Sequence, residues 1–357
     1  MSGVLLLAGR SVQAQPCSIS LGSDATICAG EDVAFTLPAG YPDQLWSNGS
    51  NATTLTVSSP GTYWGQVSYP SGNLFTNGNF SSGNTGFWSD FSYDPDLYPG
   101  GNYYIGTNAA NFHNQWIGTG NGNFMLVNAD WPQAWWTVWC QGVPVCPNQT
   151  YTLSFRMANL ANQGPATVEW MADWSQFFGQ ATASSVQGQW NTYTATWTSG
   201  PNQNWVNMCM RIISGWGVGN DIGLDDLSMT ATINLRDTIE VFVTPLPVVD
   251  LGPDVTLCAG DPLVLDATVP GGSYLWQDGS TNATFNVSTA GIYDVTVTAN
   301  GCSASDAIQV NYNPLPLVDL GPDQTVCAGD VVTLDVTTPG ATYLWQDGST
   351  NPTFNVS

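Results

Sequence analysis

Four tryptophans crowd ten residues of this chain, Asp130-Trp131-Pro-Gln-Ala-Trp135-Trp136-Thr-Val-Trp139. Sugars present flat C–H faces that stack on aromatic rings, while their hydroxyls bond amides and carboxylates. Trp131, Trp135 and Trp136, beside Asp130 and Gln133, therefore have the composition of a glycan-binding loop. Trp139 alternates with Val143 and Val145 at strand period and reads as core. Tyr103, Tyr104 and Trp116 are further aromatic candidates. Glu169 and Asp173, in Val168-Glu-Trp-Met-Ala-Asp-Trp174, read as two carboxylates on one strand face, suited to hydrogen-bonding a ligand. The competing reading packs all these rings into a β-sandwich core.

Catalysis has little support in the residues. The sole histidine, His113, lacks an identifiable nucleophile partner. Glycoside hydrolysis needs two carboxylates across a cleft, and Glu169 and Asp173 share a segment instead. No P-loop, dinucleotide fingerprint or Gly-x-Ser-x-Gly motif is present.

The elements that must position these residues follow from a repeat. Cys28, Trp46 and Gly61-Thr62-Tyr63 recur as Cys258, Trp276 and Gly291-Ile292-Tyr293, then as Cys327 and Trp345, with 18 residues from Cys to Trp each time. Leu251-Gly-Pro-Asp and Leu320-Gly-Pro-Asp fix the period at 69 residues. Short alternating runs between Gly, Pro, Asn and Asp turns predict strands, among them Leu263–Ala267, Tyr274–Trp276, Thr284–Val287, Tyr293–Val297 and Ala307–Val310. Asp278-Gly279 and Asp347-Gly348 read as tight hairpin turns. Thr244-Pro-Leu-Pro247 and Asn313-Pro-Leu-Pro316 read as stiff connectors. The fold class is all-β. A Trp on a central strand with a Gly-x-Tyr before a later one resembles Ig-like and PKD-like repeats of large bacterial surface proteins. In that resemblance the Trp packs between sheets and the Tyr hydroxyl ties down a corner.

The first copy is interrupted after Tyr69 and resumes near Arg236, so a passenger of about 160 residues occupies its last hairpin loop, where insertion costs least. The expected domains are 1–15, a partial signal segment with Val12-Gln13-Ala14 at its end; 16–72 plus 232–246, the split first repeat; 73–231, the insert; 247–315, the second repeat; and 316–357, a truncated third repeat, so that the natural chain is expected to continue.

The insert opens Asn73-Leu-Phe-Thr-Asn77-Gly78-Asn79-Phe80, passes Gly86-Phe87-Trp88 and ends Leu224-Asp225-Asp226-Leu227-Ser228. It resembles the galactose-binding-like jelly roll of carbohydrate-binding modules such as the CenC type, whose first and last strands are neighbours. The resemblance implies a structural calcium where those strands meet, held by Asp225 or Asp226 with Asn79 and nearby carbonyls. Ser81 stands where that family often has Glu.

Eight cysteines in a chain with an export-like start read as disulfide candidates. Parity within the one complete repeat favours Cys258–Cys302, and Cys17 is the nearest partner for Cys28. Cys140, Cys146 and Cys209 leave one over. Twenty-seven acidic residues against four arginines, with no lysine, give a net charge of -23, which disfavours nucleic acid and anionic membrane surfaces. No apolar run is long enough to span a bilayer. Together these features predict a non-catalytic secreted or cell-surface protein that binds polysaccharide or cell-surface glycan through the insert, displayed on an Ig-like stalk. The combined pattern resembles gliding-motility-associated adhesins and other type IX secretion cargo. A purely structural stalk and an accessory region of a larger secreted glycoside hydrolase are the alternatives.

Overall fold

The computed structural model describes residues 16–97, 100–129, 136–162, 164–214 and 220–357. The signal-like segment 1–15, Trp131 and Trp135 lie outside the described residues. The described chain forms two units, one holding Val33–Val241 with the segment up to Ala25, the other Thr26–Asp32 with Phe242–Ser357. Apart from a single 3-10 turn at Ala109–Asn111, every regular element among the described residues is a strand.

The first repeat supplies β1 (Ala25–Cys28), β2 (Val33–Thr36), β3 (Asp43–Trp46), β4 (Thr54–Val57) and β5 (Gly61–Pro70). The insert follows as β6 (Ser92–Tyr93), β7 (Asn102–Asn108), β8 (Thr119–Asn128), β9 (Thr137–Pro144), β10 (Thr150–Asn159), β11 (Thr167–Ala172), β12 (Gln176–Thr182), β13 (Trp190–Thr198), β14 (Trp205–Ile212) and β15 (Ile222–Thr230). Then β16 (Thr232–Thr244) returns and pairs antiparallel with β5, from Thr232↔Pro70 to Val241↔Gly61. The insert is therefore carried in the loop of that hairpin. Its ends are tied together where they leave it, since Ser71 N–H donates to Ala231 O at 2.8 Å and Leu74 N–H to Met229 O at 2.8 Å.

The second repeat consists of β17 (Val255–Cys258), β18 (Leu263–Asp266), β19 (Ser273–Trp276), β20 (Thr284–Val287), β21 (Gly291–Ala299) and β22 (Cys302–Asn313). These form a four-stranded sheet in the order β17-β22-β21-β19 and a β18-β20 pair. Trp276, Val295, Val297, Ile308 and Val310 are buried in its core. The Trp276 indole N–H donates to Asn282 O at 2.8 Å, and its counterparts Trp46 and Trp345 do the same to Ala52 and Asn351. Gly279 takes φ +85° in the Asp-Gly turn, a conformation that a Cβ disfavours. Tyr293 OH donates to Thr289 O and Tyr63 OH to Ser59 O, which is the tied corner. Within the third repeat β23 (Val332–Asp335) pairs with β24 (Thr353–Val356).

The insert is a two-sheet sandwich, β13-β10-β15-β8-β7-β6 facing β12-β11-β14-β9. Strand alternation fills the interior from both sheets. Phe75 packs edge-on against Trp139 at 4.7 Å, and Trp170 meets Trp139 at 6.0 Å and Phe155 at 5.6 Å, all T-shaped. Trp139 is thus core.

The disulfides differ from the expected pairs. Cys17 bonds Cys146, Cys28 bonds Cys302, and Cys140 bonds Cys209, while Cys258 and Cys327 are exposed thiols. The reason is strand direction. β17 runs parallel to β22 and places Cys258 opposite Asn313, at the far end of the strand that Cys302 begins. At roughly 3.3 Å per residue the two cysteines are about 36 Å apart, well beyond a disulfide's reach. Counting within a repeat overlooked this. Cys17, which nearness in sequence assigned to Cys28, is held beside the insert, where Tyr69 OH donates to the adjacent Pro16 O at 2.8 Å.

Candidate functional site

One face of the four-stranded sheet in the insert carries the site. Along β14, Val206, Met208, Met210 and Ile212 point into the core, so Trp205, Asn207, Cys209 and Arg211 share the opposite face. Register sets Asn207 opposite Gly142, Cys209 between Cys140 and Met171, and Arg211 opposite Glu169. Along this face runs a groove of 1440 Å³ whose lining includes Trp88, Gln141, Gly142, Asn204, Trp205 and Asn207.

Two exposed indoles line it, Trp88 at 41% and Trp205 at 52%, and a third, Trp174 at 50%, adjoins Trp88 outside the lining. Each is positioned by a specific device. A Cβ on Gly142 would stand 2.7 Å from Trp205 Cζ2 and 3.0 Å from Asn207 Oδ1, so the missing side chain gives the Trp205 ring its place against β9. Trp88 exchanges both main-chain hydrogen bonds with Cys140, each 3.0 Å. Its loop is pinned by the buried Gln141, whose amide accepts from Thr76 N–H at 2.9 Å and donates to Thr76 Oγ1 at 2.8 Å and to Gly86 O.

Trp174 occupies the β11–β12 hairpin turn, closed by Ser175 N–H donating to Ala172 O at 3.2 Å. Asp173 and Trp174 are the two central residues, with φ +50° and +58°. Such a turn ordinarily takes Asn-Gly or Asp-Gly, because a Cβ in the left-handed region costs about 1–2 kcal/mol. Here the glycine position holds the largest side chain, with its ring 6.3 Å from that of Trp88. Asp173 braces the turn: its carboxylate accepts from Asn207 N–H at 2.9 Å, Asn207 Nδ2 at 3.2 Å and Gln203 Nε2 at 3.0 Å. The groove lining thus offers flat apolar rings and side-chain amides, which is stacking and hydrogen-bonding chemistry.

The expected ligand residues are dispersed. Asp173 lies in the turn after β11, not on a strand face with Glu169. Glu169 is buried, ion-paired with Arg211 and accepting from Gln180 Nε2 at 3.3 Å. The Arg211 guanidinium also lies 4.3 Å from the Phe177 ring centre. Trp116 is buried with Leu97, Phe124 and Leu160. Tyr103 is buried too, its hydroxyl bonded to Asn84 Oδ1 at 2.7 Å, and burial raises its phenol above the ordinary range. Tyr104 stacks on Tyr93 at 5.1 Å. Trp136 is exposed and meets Phe91 edge-on at 5.5 Å.

The two ends of the insert meet where the calcium was expected. Leu227 N–H donates to Gly78 O at 2.9 Å, an approach so close that a Cβ on Gly78 would stand 2.0 Å from Leu227 O. Asp226 faces Arg156 at 3.4 Å, and Asn79 Oδ1 accepts from Ser81 N–H at 3.2 Å. Asp225 is buried, and desolvation pushes its carboxyl up to about 6, against the lowering effect of the Asp226 N–H bonded to it. Among the described residues, no three His, Cys, Asp or Glu side chains form a metal-holding group. Calcium takes six to eight oxygens, so carbonyls or water have to supply most of any site here.

No protein-family model and no curated protein sequence matches this chain. Solved structures similar to it include a structure described as "CBM4 structure and function", 18% identical over 44% of this chain and 99% of that one, TM-score 0.29. A second is the CBM22-1 xylan-binding domain from Paenibacillus barcinonensis Xyn10C, 9% identical over 45% and 92%, TM-score 0.30. A third is TmCBM61 in complex with β-1,4-galactotriose, 13% identical over 44% and 97%, TM-score 0.29. These neighbours are carbohydrate-binding modules.

Trp88, Trp174 and Trp205 escape a composition-based reading, which is drawn to the densest cluster. The signal for Trp174 was nonetheless present. Ala172-Asp173-Trp174-Ser175 between two alternating runs has the length of a two-residue hairpin, with tryptophan where glycine belongs.

Proposed function

We propose that the insert binds carbohydrate in the groove between Trp88, Trp174 and Trp205, without catalysing its hydrolysis. The observation that carries this reading is Trp174 held at positive φ with half its surface exposed. Strain of this kind, unsupported by burial, points to a use for the exposed ring. The neighbouring groups suit a hydroxylated, uncharged ligand: rings for C–H faces, Asn204 and Asn207 amides for hydroxyls, and a paired Glu169–Arg211 that adds no net charge. Among the described residues, the groove lining holds no carboxylate pair facing across it of the kind glycoside hydrolysis requires.

In this reading the protein is an exported glycan-binding or adhesion protein, with Ig/PKD-like repeats as the stalk that displays the insert. Three disulfides fit folding in an oxidising compartment, and no helix among the described residues is long and apolar enough to cross a membrane. Trp131, Trp135 and Trp136 remain candidates for extending the contact. The reading includes a structural calcium on Asp225 completed by carbonyls of the 77–80 loop; a melting temperature unchanged by chelator removes it.

The test is a glycan array probed with the full chain and with the double variant Trp88→Ala/Trp205→Ala. Specific hits that the variant loses while staying folded support the proposal. A blank from folded protein overturns it and leaves the insert a structural module.

A further inference from the structure

The three cysteines that open the repeats sit in one and the same turn. Their N–H groups donate to the acid three residues on: Cys28 to Glu31 at 2.9 Å, Cys258 to Asp261 at 2.9 Å and Cys327 to Asp330 at 3.2 Å. The glycines within these turns, Gly30, Gly260 and Gly329, have φ of +92°, +98° and +98°. In the first two copies the residue after the cysteine is clamped to the connector, Ala29 N–H to Thr244 O at 2.9 Å and Ala259 N–H to Asn313 O at 2.8 Å.

Only the first of the three is oxidised, and its partner explains why. Cys28 bonds Cys302, which starts β22 directly after the Asn300-Gly301 tip of the β21–β22 hairpin. Both sulfurs lie beside the same landmarks, Cys28 Sγ 3.9 Å from Gly301 O and Cys302 Sγ 3.9 Å from Thr244 O. The clamp thus presents the cysteine to the hairpin tip of the repeat that follows the connector. Cys258 is clamped identically to Asn313, which opens the equivalent connector Asn313-Pro-Leu-Pro316. Its own repeat's Cys302 is out of reach at the other end of β22.

We propose that the Cys258 turn is an inter-repeat disulfide site, built to take the hairpin-tip cysteine of a repeat placed after its connector, as Cys28 takes Cys302. Bond formation joins two sulfurs and releases two protons and two electrons. The electrons pass to a disulfide oxidant of the compartment, which leaves as two thiols. The bond staples that junction at its connector.

The test extends the chain beyond Ser357 with a second copy of residues 289–313, which completes a third repeat. It is oxidised with oxidised glutathione, labelled with iodoacetamide and mapped without reduction. The unextended chain should label at Cys258 and Cys327. The extended chain should label at Cys327 alone, with Cys258 linked to the added cysteine. Continued labelling of Cys258, a bond from the added cysteine to Cys327, or a Cys258-linked dimer would each overturn the proposal. A second variant needs no added sequence: Cys28→Ser in the original chain should leave Cys302 as a labelled thiol. Transfer of Cys302 to Cys258 would contradict the geometry.

Discussion

Trp174 and Trp88 come from different parts of the insert, a hairpin turn and a loop bonded to β9, and their rings meet 6.3 Å apart with planes 35° from each other. Neither is needed there to fill a core. The pairing places two exposed indoles side by side beside a third, Trp205, and that arrangement is the basis for the predictions that follow.

Single replacement of Trp88 or Trp205 by Ala should weaken carbohydrate binding by about 1 kcal/mol or more, a fivefold to tenfold loss. Because each side chain is only about half buried, the loss in unfolding free energy should stay well below the roughly 3–5 kcal/mol of a core Trp→Ala change. Titration calorimetry with an array hit, alongside thermal melts, checks both. Stability lost without affinity lost would make the rings structural.

Gly142→Ala should act on binding through its neighbours. The added Cβ meets Trp205 Cζ2 at 2.7 Å and Asn207 Oδ1 at 3.0 Å, so both must move. Affinity should fall at least as far as in Trp205→Ala, since a stacking ring and an amide are displaced together. Wild-type affinity in this variant would separate the groove from the ligand.

Asp225 makes stability depend on pH in a set direction. Its folded-state carboxyl is raised to about 6 from an ordinary value of 3.8, so the folded protein holds this proton more tightly than the unfolded chain. By linkage its contribution is fully present below about pH 4, declines as pH rises through 6 and is flat above, a total on the order of 3 kcal/mol. Denaturant melts from pH 4 to 8 should show the decline, and Asp225→Asn should remove it. A calcium-bound Asp225 would hide the effect until chelator is added.

The bond between Cys17 and Cys146 closes a separation of 129 residues. Replacing both cysteines by Ser should lower unfolding stability by about 2–5 kcal/mol, mostly by releasing the unfolded chain. A melt within 1 °C of wild type would mean that the segment around Cys17 is held by other contacts.

The sequence made the repeat legible because its devices are local. The Cys, Trp, Asp-Gly and Gly-x-Tyr positions each act within a few residues, as the Trp276–Asn282 and Tyr293–Thr289 bonds do. The hairpin that carries the insert could be found by aligning copies. Disulfide pairing could not, since Cys28 and Cys302 are 274 residues apart and meet where Ala29 N–H is bonded to Thr244 O, the same oxygen that lies 3.9 Å from Cys302 Sγ. The groove was hidden for a similar reason: Trp88, Trp174 and Trp205 come from separate segments, whereas the dense cluster drew the reading to a stretch in which Trp139 is a core ring. The ion pair of Glu169 was not legible because its partner Arg211 is on another strand.

The measurement that tests the central claim most directly is Trp174→Gly, with affinity for an array-identified glycan and melting temperature determined on the same sample. Glycine relieves the strain at φ +58°, so stability should be unchanged or higher by up to about 1 kcal/mol, while affinity falls about tenfold. A variant that melts lower and binds as well as wild type would contradict the account.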